Sequence, residues 1–269
     1  MDSPSAAEWK CRVDLAAAYR WCHRIGLNEG IDNHLTCIVP SSSPNQTEQL
    51  FLVNRYGLMW SEVTASNLLL MDEKGNVVRG EGEPDTTAFM IHSRMHIAMG
   101  TAGTCILHTH MPYATALCCL QGGRLEMCHQ NSLRFWNDIV YDDEFNGLVF
   151  DAAEGDRMAK LMGQKRVLFH SNHGVVVCGE SVAEAMEHLY YLERACKVQV
   201  LAMSTGRPLK VVPPKVCEKF QRQLAGCETT LSGTLAGSAK TSAAHFAFLY
   251  FEAVKRELKK NGNDADFDS

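Results

Sequence analysis

The chain contains no run of about 18 apolar residues, the minimum a membrane-crossing helix needs, so no segment is expected to span a bilayer. It also lacks a positive surplus, since 26 Lys and Arg stand against 31 Asp and Glu for a net charge of -5. Duplex nucleic acid is held non-specifically by cations on phosphates, and that footprint is missing. No CxxC pair occurs among the 11 cysteines, whose number is odd and whose spacing is irregular. A regular disulfide framework is therefore excluded, and reduced thiols in a cytosol-like compartment are expected. Several of them, such as Cys105 in TCILH and Cys178 in VVVCG, sit in apolar runs where a thiol acts as a small hydrophobe. Residues 1–10 show no basic start followed by an apolar run, and no internal repeat is found. The expectation is a soluble cytoplasmic protein whose partner is a small molecule, with neither nucleic acid nor membrane involved.

What is present is a globular composition: 269 residues, 46% of them hydrophobic, enough to fill a sizeable core. Apolar residues at three- and four-residue spacing predict an opening helix over Glu8 to Ile25, ended by Gly26. Strand-like runs follow at His34 to Pro40 and Phe51 to Asn54, and DEKGN at 72–76 reads as a hairpin turn leading into VVRGEG. A buried helix is predicted over Thr87 to Met99, with Pro84 and Asp85 as start signals. TCILHTH reads as a strand, YATALCCL as a helix, and RVLFHSNHGVVVCG as two short strands joined by SNHG. Val182 to Ser204 is a long helix. Residues 1–214 are read as one domain, 215–242 as a linker or mobile arm, 243–260 as a final helix and 261–269 as a disordered tail.

The chemistry concentrates in H-T-H. Side chains alternate along a strand, so His108 and His110 project from one face and can chelate one ion. His173, in the N-H-G turn between two apolar runs, is placed to supply a third imidazole. Neutral imidazoles suit zinc, iron, nickel or copper better than magnesium or calcium, and three of them with an open position match catalytic rather than structural zinc.

The segments VVRGEGEPDTTAFMIHSRMH, ILHTHMPYATAL and VLFHSNHGVVVCGESVAEAMEHLYYLERACKVQVLA, in that order, resemble the core of the class II aldolase/adducin family. The similarity runs from Asp14 to Pro214. In that family the metal histidines lie in an H-x-H and a later N-H-G, which makes His108, His110 and His173 the implied ligands. The resemblance implies an α/β fold, a three-layer α-β-α sandwich with a central, largely antiparallel β-sheet. It also implies a divalent metal, zinc first with iron, manganese or cobalt as alternatives, and a homo-oligomer, commonly a tetramer.

The sequence departs from the family's sugar-phosphate aldolases at an informative place. Those enzymes carry an acid/base carboxylate four residues before the helix histidine, which matches His92 here, so the position is Ala88 and cannot move a proton. Thr86 and Thr87 fall where those aldolases place phosphate-binding serines, and Asn33 near their phosphate-loop asparagine. Asn54-Arg55-Tyr56-Gly57 replaces a small, hydroxyl-rich segment, so Arg55 is read as a partner for a carboxylate. Glu81, Glu83, Asp85 and Tyr113 are the nearest candidates for the missing proton carrier, with Tyr113 first. Arg134, in the polar and aromatic stretch Met127 to Gly147, is a further candidate for gripping a carboxylate. His96, His170 and His188 are assigned no ligand role. The leading expectation is a metal-dependent lyase, aldolase- or decarboxylase-like, that stabilises an enediolate on a small oxygenated carbonyl or carboxylate substrate. A non-haem iron oxygenase on the same histidines and an adducin-like scaffold without catalysis are the alternatives.

Overall fold

The computed structural model describes residues 3–41, 48–147, 152–226, 243–260, 262 and 264–269, with the side chains of 86–88 and 152 outside that description. Helix α1 (Ala6–Arg24) begins where the Ser5 side chain accepts a hydrogen bond from the Glu8 N–H at 3.1 Å, satisfying one of the donors a helix start leaves free. Its buried Arg12 donates to Glu8 at 2.8 Å and to the carbonyl of Leu68 at 2.7 Å, and Arg79 closes on the same carboxylate. These bonds tie the helix to the strand region that follows.

Strands β1 (His34–Val39), β2 (Leu50–Val53), β3 (Leu69–Asp72) and β4 (Val77–Arg79) come first, followed by helix α2 (Thr86–Met99). Then come β5 (Cys105–Thr109), α3 (Pro112–Cys118), β6 (Ile139–Asp142), α4 (Ala152–Met162), β7 (Val167–His170), β8 (Gly174–Gly179) and α5 (Val182–Met203). All eight strands form one mixed sheet in the order β4-β3-β2-β1-β5-β8-β7-β6. The pair β6 and β7 is parallel and the other pairs are antiparallel.

Alternation divides each strand between two cores. Leu35, Cys37, Cys105, Leu107, Val175 and Val177 pack with α1, α3 and α5, whereas Ile106, Val176 and Cys178 pack with residues of α2 and α4. His34 and His108 are opposite each other in the β1–β5 register. Both therefore share the sheet face that carries Thr36 and Ile106, against α2.

Two expectations need correction. Residues 215–224, read as the start of a linker, belong to helix α6 (Pro214–Leu224), whose Cys217 is buried and whose Gln221 donates to the Leu133 carbonyl at 2.6 Å. The tail read as disordered ends in a 3₁₀ turn, Ala265–Asp268, with Phe267 buried and its carbonyl accepting from Ala65 N–H at 2.9 Å. The intervening part of the expected linker, 227–242, lies outside the described residues. Helix α7 (Ala243–Lys260) docks on α1 and α5, with Trp21 donating to the Tyr250 hydroxyl at 3.1 Å. No helix among the described residues is long and apolar enough to cross a membrane.

Candidate metal centre

His108 lies near the end of β5, and His110 just beyond it, where the strand gives way to α3. The His108 Nδ1–H donates to the Val175 carbonyl at 3.0 Å, which fixes the ring and leaves Nε2 as a lone-pair donor. His110 is held in the same manner: its Nδ1 meets Glu29 Oε2 at 2.5 Å, and its Nε2 is buried without a partner. His173 arrives on the turn between β7 and β8. Asn172 adopts a left-handed φ of 56°, a conformation asparagine tolerates better than most residues. Gly174 is required for a different reason: a Cβ there would lie 2.6 Å from the Thr109 carbonyl and 2.7 Å from His110 Cδ2. The N-H-G sequence thus lets the turn close directly onto the H-x-H strand.

The three rings converge. His108, His110 and His173 each offer a ligand atom, all within 4.8 Å of one another, and no other such group of His, Cys, Asp or Glu occurs among the described residues. His108 Nε2 and His173 Nε2 are 3.2 Å apart. Two nitrogens about 2.0–2.1 Å from a tetrahedral zinc would be separated by about 3.4 Å, so the spacing is that of two ligands on one ion. Burial, reinforced by the neighbouring histidines, holds His108 well below the usual histidine range and His173 down at about 3. Both rings are neutral at pH 7, the form a metal binds. The donor set and the partnerless His110 Nε2 fit a divalent ion of the zinc type.

Other groups crowd this centre. Asn33, in a left-handed conformation with φ 73°, accepts from the His110 N–H at 3.2 Å and the Glu29 N–H at 3.1 Å through Oδ1. Its amide orientation is fixed by those bonds, and its buried Nδ2 has no partner. His170, assigned no role from sequence, lies 5.0 Å from His173 between ring centroids, its plane tilted by 48°, and meets Asp142 at 2.9 Å, while Arg157 grips the same carboxylate at 3.0 and 2.5 Å. Glu29 and Asp142 escaped the sequence reading because each is far along the chain from its histidine. Nothing in a lone carboxylate signals such a pairing.

The remaining candidates lie differently. Arg134 is already committed: its guanidinium pairs with Glu187 and sits 4.1 Å from the Tyr191 ring. Tyr113 begins α3, its N–H and that of Ala114 donating to Glu193 at 2.8 and 2.9 Å, and its ring lies 5.0 Å from the Lys197 ammonium. Arg55 is exposed and lies along Gly82, whose Cβ would meet Arg55 Cδ at 2.6 Å. Thr86 and Thr87 start α2, and their side chains fall outside the described residues.

This fold is that of a known family. Residues 13–200 match the family model described as the class II aldolase and adducin N-terminal domain. A Caulobacter vibrioides protein whose name ranks it with the class 2 aldolases is 34% identical over 235 residues, covering 86% of this chain and 88% of its own. Mouse alpha-adducin is 35% identical over 206 residues, which is 75% of this chain but 27% of that protein. Among solved structures, an aldolase II superfamily protein from Pseudomonas syringae superposes with a TM-score of 0.82 at 30% identity, over 98% of each chain. An L-fuculose 1-phosphate aldolase from Glaciozyma antarctica shares the fold at a TM-score of 0.76 and 23% identity, over 96% of each. The chain belongs to the class II aldolase and adducin family.

Proposed function

We propose that this protein is a divalent-metal-dependent lyase, aldolase- or decarboxylase-like, acting on a small oxygenated carbonyl or carboxylate substrate. The observation that carries the reading is the convergence of three imidazoles, whose ligand atoms all lie within 4.8 Å of one another. Adducin relatives have no evident need for such a set, which favours catalysis over scaffolding. Zinc is the proposed ion, and a cytoplasmic homotetramer with a three-layer α-β-α body is the proposed setting.

A bound ion would supply Lewis-acid polarisation of a substrate oxygen. The chain's own residues do the rest. His108, His110 and His173 hold the ion, with the Val175 carbonyl and Glu29 fixing two of the rings. Asn33 offers its unpaired Nδ2–H to a substrate oxygen beside His110. Tyr113 is the proposed proton carrier. Arg55, together with the Thr86 and Thr87 hydroxyls at the N-terminus of α2, is proposed to receive the anionic end of the substrate. Arg134, already paired with Glu187, is better suited to bracing α5 than to substrate. With Ala88 where the aldolases carry a carboxylate, decarboxylation is favoured over aldol cleavage, because its bond breaks before any proton must be abstracted.

Metal analysis of the purified protein and of His108→Ala and His173→Ala tests the reading. Near one zinc per chain in the wild type, lost in both variants with the far-UV circular dichroism unchanged, is expected. Tight binding that survives both substitutions would refute the assignment. A wild type without metal would favour the scaffold, and iron with substrate-dependent oxygen uptake would favour an oxygenase.

A further inference from the structure

A line of buried side chains runs from α2 to the metal centre, and its hydrogens can be placed one by one. The Gly103 carbonyl only accepts, so His96 Nδ1, 2.5 Å away, carries a hydrogen. Burial holds His96 down at about 4, so the ring is neutral and its Nε2 is bare. Thr36 Oγ1 lies 2.7 Å from that nitrogen and must donate to it, the Ile106 carbonyl at 3.4 Å being too distant to compete. Having spent its one hydrogen, Thr36 accepts from His92 Nδ1–H at 2.7 Å. His92, kept neutral by burial and the adjacent histidines, then has a bare Nε2, which accepts from His34 Nδ1–H at 3.0 Å. His34 is therefore left with an unprotonated Nε2. Its ring sits directly across from His108 in the sheet register, 5.0 Å between centroids, with the ring edge away from His92 free of any hydrogen bond in the relay.

We propose that the relay Gly103–His96–Thr36–His92 fixes His34 as a hydrogen-bond acceptor beside the metal centre, where its Nε2 receives an O–H of the substrate and selects hydroxyl-bearing ligands. Asn33, the preceding residue, presents the complementary unpaired N–H. One donor and one acceptor on consecutive residues at this centre match a carboxylate or carbonyl oxygen with a hydroxyl on the next carbon. A site built around such a hydroxyl rejects analogues that cannot donate, because the buried acceptor would then be unpaired. The inference rests on the metal reading above and adds to it the residue that sorts substrates.

Two small probes, glycolate and methoxyacetate, separate the effects, since both can chelate through carboxylate and oxygen but only glycolate carries the O–H. Their affinities for zinc-loaded protein are measured by calorimetry, with zinc content determined on the same samples. The wild type is expected to prefer glycolate by about tenfold, the ratio falling close to unity in His34→Phe and Thr36→Val and returning in Thr36→Ser, which keeps the hydroxyl. Long-range proton–nitrogen NMR of the wild type should find the His34 hydrogen on Nδ1. An unchanged ratio in zinc-loaded variants, or a hydrogen on His34 Nε2, overturns this inference alone. A wild type that holds no zinc brings down the metal reading and this one with it.

Discussion

His173 reaches the H-x-H strand only because the residue after it has no side chain: any Cβ at Gly174 would strike the Thr109 carbonyl and the His110 ring. At this scale the meeting of the three histidines was legible, since H-x-H on a strand and N-H-G in a turn each carry their geometry in the sequence. The residues that orient the ligands were not. Glu29 and His170 reach the centre through the folded chain, and His170 looks in sequence like any histidine ending an apolar strand; Asn33 was picked out only for an anion, not for its bond to the His110 N–H. The buried histidines also set a pH dependence. Burial lowers His96 from 6.5 to about 4 in the folded protein, so protonation favours the unfolded chain. Its contribution to stability is fully present above pH 6.5 and is lost as pH falls from 6.5 toward 4, by about 3 kcal/mol at most. Urea unfolding at stepped pH should show wild-type stability falling through that window and His96→Gln falling less steeply. Equal slopes would mean that His96 is protonated within the fold.

Among elements, the strands and helices that bury one face were read from their periodicity, and α2, α5 and α7 fall close to the predicted spans. Helix α6 was missed for a physical reason. Its Pro213-Pro214 start reads as a break, but Pro is well accommodated in a first helical turn, where its missing N–H costs nothing. The 3₁₀ turn at 265–268 was missed because acidic, glycine-containing sequence around it carries no period; one side chain, Phe267, anchors it against α1, while Arg20 pairs with Asp266. Replacing Phe267 with Ala should destabilise the protein by about 3 kcal/mol through the lost burial and the cavity left behind. Chemical denaturation checks this, and a change below about 0.5 kcal/mol, the range of ordinary surface substitutions, would mean that the segment is not docked.

Across the whole molecule, the sheet order joins segments that the sequence keeps apart. Placing β5 between β1 and β8 brings His34, His108 and the β7–β8 turn to one end of adjacent strands, a neighbourhood no local pattern encodes. The family resemblance supplied an α/β class in advance but not this strand order, and periodicity alone gave only the list of elements. The proposed function depends on one ion being held where the three imidazoles meet. Zinc K-edge X-ray absorption on the metal-loaded protein measures this most directly. The spectrum should show imidazole nitrogens from three histidines at about 2.0–2.1 Å and no sulfur. Sulfur scatterers at about 2.3 Å would place the zinc on the chain's thiols instead and contradict the account.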